Sequence, residues 1–181
     1  MSASAFYDAG ALKQLAINLF YGWGYNFYRT ENQLRADDLM IRAKVGWLLG
    51  QARASVESAE SAYRHQFLPP PTRAQPFPDA SAVSGAQALE RLSKTIGSLE
   101  GQIRAQPVPE NDRMMQRYRQ EAQALAALAA CDERLVGQAE TLRALLDGRA
   151  GVWIIESEPE IADGLKAISE TLRNRQAVLQ V

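Results

Sequence analysis

The chain has 181 residues, enough for one sizeable core and short for two. Hydrophobic residues make up 46% of it and charged residues 23%, a globular composition that excludes intrinsic disorder. Lys and Arg number 20 against 21 Asp and Glu, so the formal charge of -1 gives no electrostatic ground for a nucleic-acid or anionic-membrane partner.

Residues 1–10 lack a basic segment followed by an apolar one, so no signal peptide is expected. Asp8 is placed to cap a first helix from about residue 9. Leu12, Leu15, Ala16, Leu19, Trp23 and Phe27 keep helical spacing along it. Ile17, Phe20, Gly24 and Tyr28 add a second apolar edge, so the helix should be covered on more than one side. The nearly uncharged run over residues 15–28 is too short to span a bilayer. Thr30 to Gln33 fits a capping box, which points to a break near residues 29–30. The stripe Phe27, Leu34, Ile41, Val45, Leu48, Ala52, Val56, Ala59 and Tyr63 nevertheless runs on almost in phase. One helix from 9 to 67 would be roughly 90 Å long, too long for a compact domain of this size, so a break or bend is expected.

Pro69, Pro70 and Pro71 must end the second helix at Leu68. Five of the eight prolines fall between 69 and 78, so residues 69–81 read as an extended crossover between the two ends of a bundle, with Phe77 as its anchor. A third helix is expected over 82–105, where Leu89, Leu92, Ile96, Leu99 and Ile103 alternate spacings of three and four. After Pro107 and Pro109 a fourth helix is expected over 110–147. Its seam is Tyr118, Leu125, Leu128, Leu135, Ala139, Leu142 and Leu146, interrupted by Asp132, with Gly148 as C-cap. Val152 to Ile155 has no helical period and reads as a short extended segment or a turn plugging the bundle. Ser157, Pro159 and Glu160 form a capping box for a last helix through Ile161, Leu165, Ile168, Leu172 and Leu179.

The fold expected is therefore all-α: one domain over 1–181, an antiparallel bundle of four to five helices. Gly46, Gly50, Ala54, Ser58 and Ala62 recur every four residues, as do Ser93, Gly97, Gly101 and Ala105. Helix-interior glycine costs up to about 1 kcal/mol relative to alanine, so these stripes are expected to face other helices at close range.

Most enzyme chemistries lack their residues. His65 is the sole histidine, with Ala62 three residues before it, so a di-iron Glu-x-x-His site is excluded and a place in a helix C-terminal turn is expected. Glu57 with Glu60 and Glu160 with Asp163 have the spacing of a magnesium-binding pair, but they lie about a hundred residues apart and read as solvated surface. Cys131, the only cysteine, cannot form an intrachain disulfide, and Asp132 and Glu133 beside it should raise its pKa rather than activate it. No nucleophile-elbow, P-loop or dinucleotide motif occurs. Arg113, Arg117 and Arg119 are offset by Glu110, Asp112 and Glu121. No cofactor, metal, nucleic acid or membrane is expected, and the location expected is cytoplasmic.

The least ordinary stretch is residues 20–42. Six of its first nine residues are aromatic, and amides and charges follow. Glu31, Arg35, Asp38 and Arg42 have spacings of four, three and four, which on one helix makes a salt-bridge ladder worth tenths of a kcal/mol per rung. Amphipathic aromatics beside Asn, Gln and Arg are what interfaces favour. The function expected is a helical interaction or scaffold protein that self-associates, or binds another protein, through helix one and the start of helix two. Its anchors would be Trp23, Tyr25, Tyr28, Arg29, Asn32 and Arg35. The alternative is a small-ligand- or divalent-metal-binding bundle, hydrolytic in one version, with a polar pocket of Tyr21, Asn26, Glu31, Asp38 and Arg42.

Overall fold

The computed structural model describes residues 3–20, 34–73, 76–106 and 118–180, with side chains described from residue 39 in the second helix and from 126 in the fourth. After a 3-10 turn over Ala3–Phe6 come α1 (Ala9–Phe20), α2 (Leu34–Phe67), α3 (Ala80–Arg104), α4 (Tyr118–Leu146), α5 (Gly151–Glu156) and α6 (Glu158–Gln180). Among the described residues there is no strand. The all-α expectation is met.

Local chemistry accounts for several of the helix ends. Asp8 Oδ1 accepts the backbone N–H groups of Gly10 and Ala11 at 3.0 and 3.1 Å, which starts α1. Asp79 does the same for α3 through the Ser81 N–H at 2.9 Å. That bond and one from the Ser81 hydroxyl hold the Asp79 carboxyl below the usual carboxylate range. Gly148 has φ +64°, the left-handed conformation that lets the chain leave α4. His65 lies in the last turn of α2, as expected.

The long helices alternate in direction. Arg64 reaches Glu90 at the far end of α2, and Arg42 reaches Gln106 at the near end, so α2 and α3 are antiparallel. Lys13 pairs with Glu133 and Gln138 reaches the Phe6 carbonyl, so α1 runs antiparallel to α4. Arg175 meets Asp132 in the same antiparallel sense between α6 and α4. Arg42, near the start of α2, joins Asp132 of α4 through Gln106 and Arg175, and Gly151, just past the end of α4, lies against Ala59 and Tyr63 near the end of α2, so α2 and α4 run the same way and α1 and α2 point in opposite directions. A continuous helix over 9–67 is therefore excluded. α1 ends at Phe20 and α2 begins at Leu34 in the opposite sense; the capping box at Thr30 lies outside the described residues.

One buried cluster draws on every helix, from Phe6 and Phe20 through Ile41, Leu48 and Val56 to Leu89, Ile96, Leu142, Ile154 and Leu172. α4 is the central member. From Asp132 to Leu146 it is buried on nearly every side, because α1, α2 and α6 all pack on it.

Three expectations need correction. Because α2 and α3 are antiparallel neighbours, α3 begins at the end of the bundle where α2 stops, so the connector expected over 69–81 does not cross to the other end. Phe77 is exposed and anchors nothing. The apolar tetrad after Gly151 is helical: it forms α5, with Ile154 buried against the ends of α2 and α3. The small-residue stripes also face mostly outward. Ala54, Ser58, Ala62, Gly101 and Ala105 are exposed, and a Cβ on Gly50 or Gly101 would meet nothing within 4 Å. Ser93 and Gly46 are the buried exceptions. Close backbone approach happens elsewhere. A Cβ on Gly137 would lie 2.5 Å from the Leu12 carbonyl oxygen, and one on Gly164 would lie 2.6 Å from the Phe6 ring.

Candidate functional site

Two places depart from ordinary bundle packing. The first is a buried polar joint where α2, α3, α4 and α6 meet. Asp132 occupies a seam position of α4 that hydrophobic spacing assigns to the core. Arg175, on α6, is the largest fully buried side chain among the described residues and donates its Nε to Asp132 Oδ1 at 2.7 Å. Its Nη1 donates to Gln106 Oε1 at 2.9 Å, and Gln106 Nε2 donates to the Leu172 carbonyl at 3.3 Å. Arg42 Nη1 donates to the Gln106 carbonyl at 2.8 Å. Gln106, just past the end of α3, is thus held from both α2 and α6.

The joint is suited to fixing helices, not to turning over a substrate. Guanidinium groups stay protonated at any physiological pH, so neither arginine serves as a general base. Cys131, beside Asp132, is half-buried; burial pushes its thiol pKa up, and the Asp132 charge raises it further. Such a thiol is a poor nucleophile. Glu57 and Glu60 are held by Arg53 and Arg64 in exposed pairs at 2.7 Å. No cluster of three or more metal-ligating side chains occurs among the described residues.

The second place is the outward face of α2. Leu39 and Trp47 are 56% and 53% exposed. At 100° per residue, Ala43, Gly50, Ala54, Ser58, Ser61 and Ala62 share that face with them. Gln51 and His65 lie on the same arc, and Lys44 and Glu57 stand at its two edges, level with Ala62 and Leu39. The flank toward α3 is charged, but Arg53 pairs with Glu57 and Arg64 pairs with Glu60 and Glu90. On the other flank Lys44 lies 4.5 Å from the centre of the Trp47 ring.

Of the candidates read from sequence, Tyr21, Trp23, Tyr25, Asn26, Tyr28, Arg29, Glu31 and Asn32 lie outside the described residues. Arg35 and Asp38 fall within the α2 backbone, their side chains undescribed. Arg42 has a described side chain, buried in the joint. Sequence reading missed Arg175, Gln106, Leu39 and Trp47. Arg175 had a signal: it follows Ile168 and Leu172 at spacings of four and three, a core position of α6, and a buried acid in the α4 seam calls for a base. Trp47 had one too, since it lies off the inward stripe of Val45, Leu48 and Ala52.

No helix among the described residues is long and apolar enough to cross a membrane. No known protein family, no curated protein and no solved structure matches the chain.

Proposed function

We propose that this chain is a non-enzymatic helical interaction protein that self-associates through α2. The observation that carries the reading is the outward face of α2, where Leu39 and Trp47 are both more than half exposed with Ala43, Gly50 and Ala54 between and beyond them. Lone exposed apolar residues are ordinary, but two large ones on one helix face, set among small residues, are what interaction surfaces have. Tryptophan is also the side chain most often found at the energetic centre of an interface. The reading extends toward the sequence candidates Trp23, Tyr25, Tyr28, Arg29, Asn32 and Arg35, which precede this face in the chain.

Sedimentation velocity over a wide concentration range tests it. The expected result is a dimer population that grows with concentration. Leu39→Glu combined with Trp47→Glu should give a monomer with unchanged far-UV circular dichroism, because both side chains are already exposed in the monomer. A native chain that stays monomeric throughout overturns the reading, as does a dimer that the double glutamate variant leaves intact. Trp23→Ala with Arg35→Ala tests the extension: it should weaken the dimer while keeping the helix content.

A further inference from the structure

We infer that residues 3–20, the 3-10 turn together with α1, form a strap that opens from the bundle as one unit while α2 to α6 stay packed. Neighbours set α1 apart. Among the described elements α2 rests on α3, α4 and α5, α3 on α2, α5 and α6, and α6 on α3, α4 and α5. α1 rests mainly on α4 and on the turn before it. Its fully buried positions form a single line, Leu12, Ala16 and Phe20, and Ala9, Gly10, Ala11, Gln14 and Asn18 are exposed. A helix of 12 residues is marginal alone in water, so α1 that leaves α4 loses its helix and its amides open together. α4 then keeps α2 and α6 as neighbours.

A socket built from two helices holds the strap. Gly137 of α4 admits the Leu12 backbone: a Cβ there would lie 2.7 Å from the Leu12 Cα. Gly164 of α6 admits the ring of Phe6, which is fully buried. Gln138 Nε2 donates to the Phe6 carbonyl at 3.0 Å. That bond fixes the amide, because turning it over would set oxygen against oxygen. Its Oε1 is then buried with no hydrogen-bond partner among the described residues. A stranded acceptor weakens the closed state, and opening lets water reach both ends of the amide. The outer ties are weak as well. Lys13 meets Glu133 at 3.4 Å with its own side chain 41% exposed, and the exposed Tyr7 hydroxyl reaches Asp163 at 3.5 Å. A narrow contact with weak polar ties is what a local opening unit has. Closed, the strap hides Gln138 and the α4 backbone at Gly137; open, it bares them. This switch stands independently of the α2 reading.

Native-state hydrogen exchange on the full chain, in rising urea below the unfolding transition, tests it. Amides over 12–20 should exchange at least about tenfold faster than those over 135–146 and share one shallower urea slope, the mark of a sub-global opening. Exchange of α1 at the rate and slope of α4 would overturn the strap. Exchange of α1 amides one by one, without a urea slope, would be fraying and would overturn it too. Two substitutions test movement as one unit. Gly164→Ala acts on the Phe6 ring, yet it should speed exchange along α1 by about tenfold or more, as should Gly137→Ala. Gly101→Ala on α3 should leave α1 unchanged. If Gly164→Ala speeds the turn alone, turn and helix are separate and the inference fails. The comparison within the native chain decides the matter even where an alanine variant does not fold.

Discussion

Arg175 and Arg53 each hold a carboxylate through Nε at 2.7 Å, yet the two pairs belong to different physical regimes. The Arg175 and Asp132 side chains are 2% and 11% exposed; those of Arg53 and Glu57 are 46% and 47% exposed. Distance alone would rank them equal. Burial separates them, because water has been removed from one pair and still screens the other. The buried pair also closes a circuit through Gln106 that joins α6, α4 and the end of α3, whereas both members of the exposed pair belong to α2 and reach α3 only through the Ser93 hydroxyl that Glu57 accepts. An ionic contact in this molecule therefore matters according to what else it excludes from water.

The largest expected effect comes from neutralising the buried partner. Asp132→Asn leaves Arg175 charged in the core and should cost about 3–5 kcal/mol in denaturant unfolding, enough to threaten folding of a domain this size. Replacing both at once, Asp132→Leu with Arg175→Met, should recover most of that loss. If the double variant is as unstable as the single one, the pair contributes more than the removal of an unpaired charge, and the comparison fails.

Glycine offers a second contrast, with opposite signs. Gly137→Ala forces a methyl group into the Leu12 backbone and should cost about 1–3 kcal/mol as α1 is pushed off α4. Gly101→Ala meets open space in a helix interior and should stabilise by up to about 1 kcal/mol. Thermal or urea unfolding of the two variants reads both signs. Equal and small shifts would mean that α1 docks loosely and that the α4 core does not depend on it.

Much of this was legible in the sequence. Leu89, Ile96, Leu99 and Ile103 fixed the inward face of α3, and Asp8 and Gly148 marked a helix start and a helix end, because period and caps act locally. The joint was half legible: Asp132 was visibly out of place, but the base that answers it lies 43 residues away on another helix, and spacing within one helix does not reveal cross-helix partners. The small-residue stripes misled for a related reason. Four-residue recurrence states that residues share a face, not that another helix of the same chain covers it. On α2 the covered face is the one with Ile41, Val45, Leu48 and Val56, and the small residues were left outside.

The smallest effect tests the comparison from its other side. Glu57→Gln keeps the shape of the side chain and an oxygen to accept the Ser93 hydroxyl, now at 3.0 Å, while removing the charge that faces Arg53. An exposed pair four residues apart on a helix is worth about 0.3–0.5 kcal/mol, and salt screens it. The variant should therefore lose only tenths of a kcal/mol at low ionic strength, and the difference from the native chain should vanish at about 1 M salt. The same salt series on Asp132→Asn should leave its deficit nearly intact, since ions do not reach a buried guanidinium. If Glu57→Gln instead costs more than about 1 kcal/mol regardless of salt, the carboxylate charge strengthens the bond from the buried Ser93 hydroxyl where ions do not screen it. The α2–α3 contact would then rest on a polar anchor of its own, and burial of the carboxylate itself would no longer be what separates the two regions.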